Sequence, residues 1–209
     1  MKFESVGAKS PEFEAKGIET VRRDQCALTQ KVLRNSLKML FRYGIDSVKS
    51  YLYRQWSNIL SGQVSVSDFI LTGRVRGKYR GGSSGPVQAT LFRRLVEADP
   101  GLKIKHKERL AYVIVAKPGK NVPLKDCVVT PLELLEAWDS LTIHSTYYIE
   151  KHVNAALKRC FGLAPHNIDI DGWYRSCPKP RRRIHFWVSS VAYTGNNAMI
   201  NVSSVAKVA

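Results

Sequence analysis

The segment Lys16-Gly17-Ile18-Glu19-Thr20-Val21-Arg22-Arg23-Asp24 places five charged side chains immediately before an apolar run. Three of them, Lys16, Arg22 and Arg23, are basic and long enough to bind phosphates through charge-assisted hydrogen bonds. The residues that follow this segment predict a pair of helices. The segment therefore marks the point where a charged connection enters a helical fold.

The remaining residues of this segment suit a ligand-binding role. Glu19 and Asp24 can hold the neighbouring basic side chains in place. Gly17 allows the backbone to approach a ligand closely. Taken alone, the segment has a second interpretation, a solvated charge run at the start of a helix.

Apolar periodicity predicts two helices after this segment. The first covers about residues 26–41 and ends near Gly44, and its apolar stripe is Leu33, Leu37, Leu40 and Phe41. The second runs to about Leu60, with Asp46 or Ser47 as its N-terminal cap. Its predicted buried face is Val48, Leu52, Trp56 and Ile59. A short connection between them indicates an antiparallel hairpin.

The rest of the chain predicts further helices around one strand. A third helix begins at Pro86 and ends at Asp99, and residues 110–116 form a buried strand. Residues 64–71 fit either a strand or a turn, and residues 131–137 fit a helical turn. A last helix spans residues 146–161, with Ser145 as its cap. The predicted fold class is mainly α with a small β element.

Two basic stretches alternate cations with other residues. Arg74, Arg76, Lys78 and Arg80 would face one side of an extended strand, about 6.6 Å apart. Lys103, Lys105, Lys107 and Arg109 repeat the pattern before the predicted strand. Neutralisation of about five phosphates would give a log–log salt slope near −4.5. A flexible solvated loop is the alternative for the glycine-rich first stretch.

Composition favours a polyanionic partner. The chain has 209 residues, 33 Lys and Arg against 17 Asp and Glu, and a net charge of +16. This length predicts one or two domains. No run approaches the roughly 18 apolar residues that span a bilayer, so we expect no membrane partner. The four cysteines include no Cys-x-x-Cys pair, which argues against a zinc module and fits reduced thiols in the nucleus or cytosol.

Enzymatic motifs are absent from the sequence. It contains no Asp-Thr-Asp cluster for two magnesium ions and no phosphate-binding Gly-x-x-x-x-Gly-Lys loop. Asp169 and Asp171 alternate across Ile170, but nothing beside them completes a metal site. We therefore predict no catalytic residue and no metal ligand in this chain.

Four segments resemble family B DNA polymerases. Residues 16–24 resemble the stretch where the palm of these enzymes passes into the thumb, the subdomain that grips primer–template DNA. Residues 67–70 and 108–115 resemble thumb segments, and residues 143–149 resemble the start of a late thumb helix. The segments STYYI at 145–149 and IDGWY at 170–174 favour the translesion branch of the family, and a replicative branch is the next candidate.

The resemblance implies a division of the chain and a set of partners. It implies a leader at residues 1–15, a thumb at 16–175, and a basic, poorly ordered tail at 176–209. By resemblance, Lys16, Arg22 and Arg23 meet duplex DNA, Glu19 and Asp24 orient them, and Arg74, Arg76, Lys78, Arg80, Lys103 and Lys105 add contacts. The implied partners are primer–template DNA, the remainder of the polymerase and its accessory subunits.

The resemblance also implies cofactors that the motifs of this chain do not provide for. Full-length family members use Mg²⁺ bound by palm carboxylates, and the translesion branch carries a C-terminal iron–sulfur cluster. Neither ligand set appears in this sequence, so the isolated chain is expected to be inactive. The polymerase to which it would belong is expected to act in the nucleus, in translesion synthesis and repair. Two alternatives stay open: a stand-alone nucleic-acid-binding module, and a docking module for polymerase accessory subunits.

Overall fold

The computed structural model describes residues 13–76, 85–102, 109–119, 121–163 and 167–180. Within these ranges the helices are α1 (Ala27–Tyr43), α2 (Ile45–Leu60), α3 (Val87–Ala98), α4 (Pro131–Glu136), α5 (Ser145–Tyr147), α6 (Asn154–Phe161) and α7 (Ile170–Ser176). The strands are β1 (Leu71–Arg74), β2 (Arg109–Ala116), β3 (Val128–Val129) and β4 (Thr142–Ile143). Helices predominate over a small antiparallel sheet, which confirms the predicted fold class.

Helices α1 and α2 form the predicted hairpin. They are joined at Gly44, whose φ of 79° lies in the region that favours glycine. Asn35 Nδ2 on α1 donates to the Tyr51 hydroxyl on α2 at 3.3 Å, which ties the two helices side by side. The predicted caps Asp46 and Ser47 are wrong, because α2 begins at Ile45 directly after the glycine.

The buried residues of α1 lie nearer to its N-terminal end than the predicted stripe does. Its buried residues are Leu28, Thr29, Val32, Leu33 and Ser36. Phe41, predicted to be buried, is 58% exposed. The face of α2 is as predicted, since Val48, Leu52, Trp56 and Ile59 are all fully buried. Trp56 Nε1 donates to Asn154 Oδ1 at 3.0 Å, which fixes α2 against α6.

Strand β2 organises the sheet because every other strand pairs with it, in each case antiparallel. Its first half pairs with β1, placing Arg109 opposite Arg74 and Tyr112 opposite Leu71. Its second half pairs with β3 and β4. The ambiguous segment before β1 contains a 3₁₀ helix at Val66–Phe69.

The last long helical segment starts one residue earlier than predicted. The cap is His144, whose Nδ1 accepts from the Tyr147 backbone N–H at 3.2 Å, and Ser145 already belongs to α5. A π-helical segment, Tyr148–Val153, then connects α5 to α6. Within it, the buried Tyr148 hydroxyl accepts from the Ile114 backbone N–H at 3.0 Å, so this helix is fastened to β2.

The first residues assigned to the basic tail pack on the hairpin. Ser176 Oγ lies 2.7 Å from the Tyr53 hydroxyl, and the Cys177 thiol lies 3.7 Å from the Tyr53 carbonyl. The remainder of the predicted tail, residues 181–209, lies outside the described residues, as do residues 1–12 of the predicted leader.

Candidate nucleic-acid interface

The charged segment 16–24 folds as a series of turns against the start of α1. Gly17 has a φ of 75°, which favours glycine at this position. The Val21 backbone N–H donates to the Ile18 carbonyl at 3.2 Å. Gln30 Nε2 donates to the Arg22 carbonyl at 2.8 Å, which anchors the turn to the first turns of α1. The segment is therefore held by α1 while its basic side chains face solvent.

Arg22 and Asp24 form a two-point ion pair. Arg22 Nε donates to Asp24 Oδ1 at 3.0 Å, and Nη2 donates to Oδ2 at 2.7 Å. This hydrogen bonding lowers the pKa of Asp24 and raises that of Arg22. The contact restricts the rotamers of an exposed arginine without burying it, because the Arg22 side chain is still 52% exposed.

Thr72 on β1 joins the segment 16–24 to the sheet. Its hydroxyl donates to the Arg23 carbonyl at 2.9 Å and lies 3.1 Å from Arg109 Nε, which donates to it. Arg109 Nη2 also donates to the Thr72 carbonyl at 2.7 Å. One threonine thus connects two arginines that lie far apart in sequence.

The hydrogen bonds of Thr72 and the pairing of β1 with β2 bring four arginines onto one surface. Arg22 and Arg23 come from the charged segment, Arg74 from the end of β1, and Arg109 from the start of β2. Arg22, Arg23 and Arg74 are exposed, and Arg109 is half-buried. We call these four residues the arginine surface. Sequence reasoning had separated Arg74 and Arg109 into two basic stretches, and their pairing depends on the strand register.

Glu19, which was predicted to orient the basic side chains of its own segment, forms its ion pair with a residue of α6. It is 4% exposed and pairs with Arg159 on α6, with 2.6 Å between Arg159 Nη2 and Glu19 Oε1. Lys16 is 78% exposed at its side chain and pairs with Glu14 at 2.8 Å. Glu19 therefore attaches the segment to α6, a role that sequence reasoning missed because the partner is distant along the chain.

Three aromatic side chains, His152, Tyr112 and Tyr147, lie next to the arginine surface. His152 Nδ1 is 3.4 Å from Gln25 Oε1, and burial lowers the pKa of His152. Burial also raises the pKa of Tyr112 to about 12 and raises that of Tyr147. These three side chains are accordingly uncharged at neutral pH, so the arginines supply the charge of this part of the site.

The structure places only part of the two basic stretches. Strand β1 ends at Arg74, so Arg76 is exposed beyond the strand and the predicted regular spacing does not extend along it. Lys78, Arg80, Lys103 and Lys105 lie outside the described residues.

The acidic side chains Asp169 and Asp171, which alternate in the sequence, have separate structural partners. Among residues 13–76, 85–102, 109–119, 121–163 and 167–180, no group of three His, Cys, Asp or Glu side chains can hold a metal ion. Asp169 caps α7 by accepting from the Gly172 N–H at 2.8 Å, and Asp171 pairs with Lys158 at 2.6 Å. In the same ranges, no helix has the length and apolar character to cross a membrane.

Replacing Thr72 by valine tests whether the hydrogen bonds of the Thr72 hydroxyl position Arg23 and Arg109. Valine keeps the β-branched shape but removes the hydroxyl, so we expect the free energy of unfolding to fall by about 1 kcal/mol. Duplex affinity should fall although no charge changes, because Arg23 and Arg109 lose a shared partner. Thr72→Ser keeps the hydroxyl and is the control. Equal duplex affinity of Thr72→Val and the unmodified chain, by fluorescence anisotropy, would contradict a positioning role.

Comparison with known proteins identifies the class. The family model of DNA polymerase family B matches residues 1–163. The chain belongs to DNA polymerase family B, as the sequence resemblance predicted. A family B DNA polymerase structure from Pyrobaculum calidifontis matches 65% of this chain and 18% of its own chain, with a TM-score of 0.52 and 20% identity. That likeness concerns the fold.

Among individual proteins, the chain is similar to catalytic subunits of DNA polymerase zeta. The Arabidopsis thaliana subunit is 42% identical over 185 residues, covering 86% of this chain and 10% of the subunit. The Homo sapiens subunit is 39% identical over 192 residues, covering 90% and 6%. A DNA polymerase delta catalytic subunit from Drosophila melanogaster is 30% identical over 150 residues, covering 71% and 13%. The chain thus spans about a tenth or less of the zeta subunits named here.

Proposed function

We propose that this chain is a primer–template-gripping thumb segment of a family B, zeta-like DNA polymerase. The observation that carries the proposal is the arginine surface, in which Thr72 holds the segment 16–24 against β1 and β2. Exposed arginines on a rigid frame bind phosphates at a smaller loss of side-chain entropy than arginines on a free loop. The segment that resembles the palm-to-thumb passage is also the segment that supplies two of these arginines.

The expected mode of binding is through the phosphate backbone. A net charge of +16 and an exposed arginine surface suit the release of counterions from duplex DNA. Phosphate contacts fix the position of a protein on the duplex without reading its sequence. A thumb that follows a moving primer end needs this kind of sequence-independent contact.

The similarity to zeta catalytic subunits supports a proposal about the wider setting. We propose action in the nucleus, in translesion synthesis and DNA repair, as part of a larger polymerase with accessory subunits. Nucleotidyl transfer uses metal ions held by carboxylates. We assign both the magnesium site and the iron–sulfur cluster of such polymerases to regions outside this chain, because its sequence contains no Asp-Thr-Asp cluster and no Cys-x-x-Cys pair.

Salt dependence of duplex binding tests the gripping function. We expect the affinity of the purified chain for a blunt DNA duplex to fall linearly on a log–log plot, with a slope near −4.5 for about five phosphate contacts. Titrations by fluorescence anisotropy at several salt concentrations give the slope. A slope near zero would contradict the proposal. A strong preference for one base sequence would favour the alternative of a base-reading module.

Primer extension tests the proposal that this chain binds DNA while another region of the polymerase catalyses nucleotidyl transfer. With Mg²⁺, deoxynucleotides and a primed template, the isolated chain should bind the DNA and leave the primer length unchanged. The physical reason is that this sequence lacks a clustered carboxylate motif for two metal ions. Metal-dependent extension by protein free of contaminating polymerase would overturn the assignment of catalysis to another region.

A further inference from the structure

A cationic cleft lies between α1 and α2, away from the arginine surface. It is open to solvent and has a volume of about 300 Å³, at the lower end of the range for small-ligand pockets. Its lining includes Asn35, Lys38, Arg42, Tyr43, Tyr51 and Arg54. No lining side chain is acidic, so three cations surround a space with no opposing charge of its own.

These cations have no acidic partner in the described part of the chain. Lys38, Arg42 and Arg54 are exposed, and none of them forms an ion pair within residues 13–76, 85–102, 109–119, 121–163 and 167–180. The two contacts of these cations are with aromatic rings. Lys38 Nζ lies 5.9 Å from the Phe13 ring centroid, and the Arg54 guanidinium lies 5.9 Å from that of Tyr51. Within the described residues, these three cations are therefore left without an acidic partner and can bind an anion.

The polar groups in the cleft are chiefly hydrogen-bond donors. Lysine and arginine side chains donate and do not accept. The Tyr51 oxygen accepts from Asn35 Nδ2, which leaves its own hydroxyl proton to donate to a ligand. Burial raises the pKa of Tyr51, so the hydroxyl keeps that proton at neutral pH. An anion with several acceptor oxygens, such as a phosphodiester, satisfies this arrangement.

An exposed aromatic ring adds a second kind of contact. Tyr43, at the end of α1, is 65% exposed and lines the same cleft. Cations that follow a phosphate backbone, combined with an aromatic ring on which a base stacks, are typical of proteins that bind single-stranded nucleic acid. An acidic peptide would use the cations but would not require the exposed ring.

We propose that this cleft binds single-stranded nucleic acid, with a phosphate between Lys38, Arg42 and Arg54 and a base stacked on Tyr43. It is separate from the proposed duplex contacts. Arg42 follows Ala27 by 15 residues (42 − 27), which is roughly 22 Å along α1 at about 1.5 Å per residue. The arginine surface lies beside the opposite end of that helix.

The experiment compares two pairs of substitutions in the full chain. Arg42→Ala plus Arg54→Ala removes two cations of the cleft, and Lys117→Ala plus Lys125→Ala removes two exposed cations elsewhere. The probe is a fluorescein-labelled twelve-nucleotide oligothymidylate, with a blunt duplex of equal length as the second probe. The cleft pair should reduce the log–log salt slope for the single strand by about 1.4, at about 0.7 per lost contact, and the control pair should change it little.

Tyr43 provides a test independent of charge. Tyr43→Ala should weaken binding of the single strand about fivefold or more, whereas Tyr43→Phe, which keeps the ring, should bind as the unmodified chain does. Circular dichroism establishes that each variant is folded. Duplex binding should fall no more in the cleft variants than in the control pair, so a loss specific to the single strand is distinguishable from failure of the duplex-gripping function.

Three results would overturn the proposal. The first is an equal change of slope from the cleft pair and the control pair. The second is a loss of duplex affinity as large as the loss for the single strand, which would make the cleft part of the duplex surface. The third is stronger displacement of the oligothymidylate by poly-glutamate than by unlabelled oligothymidylate, which would indicate an acidic-peptide site.

Discussion

Replacing both Arg22 and Arg23 with alanine is expected to weaken duplex binding roughly 5- to 150-fold more than an equal loss of charge elsewhere. Arg22 is restrained by its two hydrogen bonds to Asp24, and the backbone of Arg23 is held by Thr72. Restrained side chains lose less rotamer freedom when they bind, so each contact contributes more to affinity. Removal of Arg22 also leaves the Asp24 carboxylate without its counter-charge on the proposed duplex-binding surface.

The matched control for this pair is Arg181→Ala plus Arg182→Ala, in the basic stretch outside the described residues. Both double variants lose two positive charges, so the general electrostatic attraction falls equally. Titration of a labelled duplex at fixed salt gives the two dissociation constants, and circular dichroism establishes that the variants fold. Equal losses of affinity would mean that the segment 16–24 acts only as part of a basic surface.

The largest effect on stability within the site is expected from Arg159→Ala. This change leaves the Glu19 carboxylate, whose side chain is 6% exposed, without the partner that now lies 2.6 Å away. A buried acceptor without a partner costs about 1–3 kcal/mol, and more when it is charged, so the free energy of unfolding should fall by about 1–3 kcal/mol or more. Urea denaturation followed by tryptophan fluorescence measures the change.

The neighbouring residue supplies the control. Lys158 pairs with Asp171 at the same distance of 2.6 Å, but the Asp171 side chain is 41% exposed and stays hydrated when the lysine is removed. Lys158→Ala should therefore cost about 0–1 kcal/mol. Adding Glu19→Ala to Arg159→Ala removes the orphaned charge and should restore part of the stability. Equal destabilisation by the two single variants would contradict a special role for the buried carboxylate.

Helical periodicity predicted the parts of the fold that depend on local sequence. The face of α2 was predicted residue by residue, because a stripe at Val48, Leu52, Trp56 and Ile59 fits one helical face and all four are buried. The same reasoning was wrong for Phe41, which is exposed, because periodicity does not indicate which end of a helix packs against the core. The cap at His144 was missed because serine is the more common capping residue, and an imidazole nitrogen performs the same task here.

The candidate site was predictable only in its components. The basic residues of the segment 16–24 were identified from charge and resemblance, and the pairing of Arg22 with Asp24 is local. The pairing of Glu19 with Arg159 and the link from Arg23 through Thr72 to Arg109 are long-range. No periodic signal in one sequence reports such contacts, since they depend on strand register and on how α6 packs.

The positions of these partners along the chain have a consequence for synthesis on the ribosome. Residues 16–24 are translated before both of these partners, because Arg109 follows Arg23 by 86 residues (109 − 23) and Arg159 comes later still. At about 5–20 residues per second, a nascent chain waits several seconds before the first of these two arginines even exists. A polypeptide stopped before β2 would carry the whole charged motif and the helical hairpin, yet it could not assemble the surface that the motif belongs to.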